Sequence, residues 1–165
     1  MILYHPIDDV YHCFYRLSLL VYRLPLMEYE LKKIQILDFY FLFPGLIKKI
    51  RWPKELNIYR QYFSNLRTPY TKISDIKSII IQLDHQVNDV IHYMAAYDLI
   101  DVEKVKNGFI LKKNEKKLMD AFEKIEDYDN DLLDFLVNVL ANIPLNGKDG
   151  LKSRTGLFEY RYDNA

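Results

Sequence analysis

The chain has one cysteine, Cys13, among its 165 residues. That excludes an internal disulfide and fits a reducing compartment. Its five glycines are scattered singly, so loops that cradle phosphates find little support: there is no P-loop, no dinucleotide fingerprint and no nucleophile elbow. Charge of one sign is lacking too, since 23 Lys and Arg balance 23 Asp and Glu. A dedicated nucleic-acid binder ordinarily shows a basic surplus. The longest uncharged stretch, Phe135 to Gly147, is too short to span a bilayer and contains Pro144. The N-terminal MILYHPIDD lacks the basic start of a secretory signal and turns acidic at once. The expectation is a cytoplasmic protein with no membrane partner.

Apolar residues make up 50% of the chain and aromatic residues 15%, ample for a real core. Pro6, Asp8 and Asp9 mark a helix start, and apolar residues at helical spacing carry that helix to Leu24 before Pro25. A second helix is expected over Met27–Phe43, stopped by Pro44-Gly45. Within it Phe39, Phe41 and Phe43 are too apolar to stay wet, so at least two should be buried. Two short basic helices flank Pro53. Ser74 suits the cap of a helix over 75–83, a turn at Leu83-Asp84-His85 leads to a helix over 85–97, and VEKVKNGFILKK reads as a hairpin. Asn107-Gly108 is the pair that a type I′ turn demands. Helix, turn, helix, hairpin is the winged helix-turn-helix order. The fold class is therefore mainly α, with a winged helix-turn-helix core at about 74–113, a small β-hairpin and flanking helices. The helical domain covers 1–143, with further helices over 115–125 and 129–141. The polar remainder, 144–165, reads as a weakly structured tail bearing Phe158, Tyr160 and Tyr162.

Three groups of residues compete for a function. His5, Asp8, Asp9 and His12 lie close together, but no further ligand follows at metal-site spacing, and the acids suit a helix N-terminus. A metal-dependent enzyme built on these histidines is the weakest reading, so no catalytic residue, metal or cofactor is assigned. Between Gly45 and Lys72, Lys48, Lys49, Arg51, Lys54 and Arg60 are interleaved with Trp52 and other aromatics. Cations neutralise phosphates and aromatics stack on bases, which makes this a possible nucleic-acid contact. The alternative there is aromatic core beneath a solvated basic face. The third group is His85, Gln86, Asp89, His92 and Tyr93 on the helix before the hairpin. Neither Lys nor Arg occurs between Lys77 and Lys104, so a helix in the recognition position would be repelled by phosphate. These five residues suit docking of a protein partner better.

Two segments, HPIDDVYHCFYRLSLL at 5–20 and LDFYFLFPGLI at 37–47, resemble middle components of ABC three-component systems. These are bacterial conflict systems that include the Lamassu type of anti-phage defence. The resemblance implies a small non-catalytic adaptor between an SMC-like ABC ATPase and an effector subunit, often a nuclease, with DNA met only within the complex. It brings no catalytic residues. The rival reading is a DNA-binding winged-helix transcriptional regulator that uses the 45–72 segment.

Overall fold

Asp9 starts the first helix. Its carboxylate accepts the backbone N–H of His12 at 3.0 Å, filling one of the donors that a helix start leaves open, and α1 runs over Val10–Arg23. The computed structural model describes residues 9–63, 76–125 and 131–158. Leu24 closes α1 in an extended conformation, as the residue before a proline prefers.

The expected helix over Met27–Phe43 is divided. Glu28–Glu30 form strand β1, and α2 occupies Leu31–Leu42. Tertiary pairing overrides the local pattern here. Tyr29 faces Leu111 across an antiparallel pairing with β3, Gly108–Lys113, and its buried hydroxyl accepts the N–H of Leu26 at 2.9 Å. From Leu31 to Tyr40 every residue of α2 except Lys32 is buried. The helix is central because α1, α6 (Asp131–Asn138), the sheet and the 3-10 turn at Pro44–Lys49 pack around it. Phe39 and Phe43 are buried and Phe41 half-buried, so at least two of the three rings are covered, as expected.

The helix-turn-helix does not form where the sequence placed it. Ile76–Ala96 is a single helix, α4. Leu83, Val87, Val90, Ile91 and Met94 are buried along it, and their three- and four-residue spacing crosses the expected turn without a break. Asp84, which looked like the start of a new helix, is instead held by α2: Lys32 Nζ donates to it at 2.8 Å and Gln35 Nε2 at 2.5 Å. α4 stops through two backbone bonds, Leu99 N–H to Met94 O and Asp98 N–H to Ala95 O, with Asp98 at φ 58°. This is a Schellman ending with aspartate in the left-handed position usually given to glycine.

The hairpin is present with a different turn. β2 (Ile100–Val105) pairs with β3 so that Val105 faces Gly108, leaving Lys106 and Asn107 as the central pair. Asn107 does not take a positive φ, whereas Gly108 sits at φ 140°. The type I′ turn is therefore absent, and the glycine opens the second strand. No atom lies within 4 Å of a Cβ built there, so conformation alone opposes a side chain. Gly108→Val is expected to cost about 1–2 kcal/mol, and an unchanged melting temperature would count against this geometry. With β1 the sheet has order β1-β3-β2. The fold is mainly α with this small antiparallel sheet.

Residues 144–158 are docked rather than loose. Leu145, Leu151 and Leu157 are buried, and a short helix, α7 (Leu151–Thr155), is fastened to residue 51. Arg51 N–H donates to Arg154 O at 3.0 Å, while Arg154 Nη1 donates to Arg51 O at 2.8 Å. Tyr160 and Tyr162 lie outside the described residues.

Candidate functional site

α4 presents its outer side as a stripe. Ile81, His85, Asp89, Tyr93 and Tyr97 follow one another at four-residue spacing, and all are exposed. Residues four apart on a helix are surface neighbours, so the five form one winding band. His92 is also exposed, beside this band. Gln86 differs from its companions: it is half-buried, and its Oε1 is enclosed without a hydrogen-bond partner. Of the five residues singled out on this helix, four therefore share the open face and Gln86 turns inward. The aromatic Tyr97 and the apolar Ile81 belong to the same band. The sequence pattern, which suggests a break at residue 84, hides the alignment of Ile81 with the residues that follow it.

Asp84 stands apart from Asp89. Its bonds to Lys32 and Gln35 make it a strut between α4 and α2, and Lys32 also lies over the Phe158 ring, 4.2 Å from its centroid. Asp84→Ala removes an acceptor shared by two donors, and Gln35 already has an unpaired, buried Oε1. A loss of about 1–3 kcal/mol is expected, read as a lowered urea midpoint. Asp89→Ala, on the open face, should change that midpoint little.

The basic segment is divided between structural and free groups. Trp52 is half-buried: its Nε1 donates to Ile47 O at 3.1 Å, and its ring meets Phe135 at 5.7 Å between centroids. Tyr59 and Phe63 pack on the same phenyl ring at 5.0 and 4.6 Å. These ring contacts join Trp52 and α3 (Ile58–Tyr62) to α6, so the aromatics of this segment serve packing. Arg51 Nη2 donates to the backbone oxygen of Ser153, and Arg60 Nε to that of Lys48 at 3.0 Å. Lys48, Lys49 and Lys54 are exposed, and no carboxylate lies within ion-pairing distance of them among the described residues. Their amines are the groups of this segment most open to an anion.

The most enclosed polar group lies at the α1–α2 contact. Arg16 grips the Asp38 carboxylate from two sides, through Nε to Oδ1 and through Nη2 to Oδ2 at 3.0 Å. Its Nη1 lies 2.9 Å from His12 Nδ1. Burial alone would lower the guanidinium pKa, but the facing carboxylate outweighs it and holds the proton more firmly. Beside this pair Cys13 is fully buried, and its thiol is pushed up to about 12, first by desolvation and then by the Asp38 charge. A thiol so protonated is a poor nucleophile.

His12 is thus bound to Arg16 and Asp9 to a helix start, while His5 and Asp8 lie outside the described residues. Among the described residues no group of three or more His, Cys, Asp or Glu is placed to hold a metal. An open cleft of about 410 Å³ lies between α3 and α6, lined by Tyr59, Tyr62, Phe63, Asp131 and Phe135 among others. There Tyr62 donates its hydroxyl to Asp131 at 2.8 Å. That bond and the Asp131 charge raise the phenol pKa, so the pair holds a proton rather than releasing one. No helix of the described residues is long and apolar enough to cross a membrane.

No curated protein and no solved structure matches the chain. A family model does match, described as ABC-three component (ABC-3C) system Middle Component 5, over residues 2–163. The match takes in both segments that carried the likeness, as well as the helix, hairpin and docked C-terminal leucines beyond them. The chain belongs to the Middle Component 5 family of ABC-three component systems.

Proposed function

We propose that the protein is a non-enzymatic, cytoplasmic adaptor that bridges an SMC-like ABC ATPase and an effector subunit, often a nuclease, in a bacterial anti-phage defence complex. The observation that carries this reading is the family match over nearly the whole chain. A middle component works with the other members of its system. The open face of α4 supports it, because a helix beside a hairpin that carries Asp89 and, past Lys77 in its first turn, no Lys or Arg suits a protein partner better than phosphate. DNA would be met only within the complex.

The second reading, a DNA-binding regulator, is favoured by the free amines of Lys48, Lys49 and Lys54. One titration separates the two. At about 150 mM salt the isolated protein should bind duplex DNA weakly, without sequence preference, and progressively less as salt rises. Lys48→Glu with Lys49→Glu should remove most of what binding there is. Submicromolar, sequence-specific binding by the protein alone would overturn the adaptor reading. Co-purification with an ABC ATPase and an effector subunit, from cells that carry the whole system, is the positive test.

A further inference from the structure

We infer that the α4 stripe is the docking site for an arginine-bearing segment of a partner protein. The inference rests on the adaptor reading and names the chemistry of one of its contacts. A solvent-facing helix side is normally rich in Lys and Glu, yet between Ile79 and Ala96 α4 has no Lys, Arg or Glu. What it exposes instead is Ile81 at 61%, Tyr93 at 53% and, just beyond its end, Tyr97 at 68%. Aromatic enrichment with depletion of Lys and Glu is the composition of an interface core.

The patch extends onto α1. Phe14 meets Tyr97 edge-on with 6.0 Å between ring centroids, which brings the start of α1 to the end of α4. There Tyr11 is 88% exposed. Two carboxylates, Asp89 and Asp98, are exposed on the same helix and its ending, with no ion pair among the described residues. Asp98 occupies its position against backbone preference, at φ 58°.

Tyrosine faces beside unpaired carboxylates, with no Lys or Arg in the sequence between Lys77 and Lys104, are complementary to guanidinium groups. Arginine stacks on an aromatic ring and forks onto a carboxylate at once, whereas lysine offers only a point charge. Charge complementarity therefore selects a basic, arginine-bearing protein segment, and it rejects nucleic acid at the same face.

The test uses the full-length tagged chain co-expressed with the adjacent ATPase and effector genes, and measures the amount of each component retained. Asp89→Arg should lower retention of one component about tenfold or more, and so should Tyr93→Ala with Tyr97→Ala. Tyr93→Phe keeps the ring face and should retain it. Asp98→Gly should raise the melting temperature, by relieving the left-handed backbone, while weakening retention. A merely structural role would move both in the same direction. Lys48→Glu with Lys49→Glu should leave this contact intact. Retention unchanged by Asp89→Arg would overturn the inference and leave the adaptor reading standing. If the wild-type chain retains neither component, or only a second copy of itself, both fall.

Discussion

Replacing Asp38 by Ala is expected to lower the unfolding free energy by about 3–5 kcal/mol, because it strands a charge inside the protein. Arg16 and Asp38 are 3% and 1% exposed, and without the carboxylate the guanidinium keeps only neutral neighbours, His12 Nδ1 and the Cys13 thiol. Domains of this size have about 5–15 kcal/mol in total, so the loss is a large share of the stability. The pair itself is a different matter. Arg16→Met together with Asp38→Leu removes both charges and retains volume, and should lie much nearer the wild type than Asp38→Ala does. Urea titrations of the three proteins measure this. A loss below about 1 kcal/mol for Asp38→Ala would show that water reaches the pair.

The second large effect is with pH. The Cys13 thiol is held up to about 12 in the folded protein against an ordinary value of 9.0. Burial of the Tyr40 phenol raises that group as well. Below about pH 9 folded and unfolded chains both keep these protons, and the groups leave stability independent of pH. Above it the unfolded chain releases protons that the folded chain retains, so stability falls until the folded values are passed. For the thiol alone the loss between pH 9 and 12 approaches roughly 4 kcal/mol. Cys13→Ala should make the alkaline decline shallower. A thiol-modifying reagent at pH 8 should react with the native protein about a thousandfold more slowly than with the unfolded chain, from the smaller thiolate fraction alone. An alkaline limb that is the same with and without Cys13 would remove this explanation.

Several features were legible because neighbouring residues decide them. Asp9 and Pro25 bracket α1, and Pro44 ends α2. What escaped depends on distant partners. Glu28-Tyr29-Glu30 has no strand pattern of its own and becomes β1 only because β3 offers an edge. Leu83-Asp84-His85 imitates a helix start, and only Lys32 and Gln35, from α2, reveal that Asp84 faces another helix. The hairpin was found but displaced by one residue, since glycine can absorb a positive φ either inside the turn or just after it. For the site, the missing cations of α4 were plain in the sequence. The continuity of the stripe from Ile81 to Tyr97 was not, because it requires an unbroken helix.

The buried position of α2 has a consequence for synthesis. Its surface is closed by α1 from one end of the chain and by α6 from the other, with Lys33 Nζ reaching Ala141 O at 3.1 Å. A nascent chain that has emerged from the ribosome only as far as α4 therefore lacks α6, and the side of α2 that α6 covers is left open. Such a chain is open to capture by chaperones and to aggregation. The α6 side of α2 is covered only once residues 131–142 have been made.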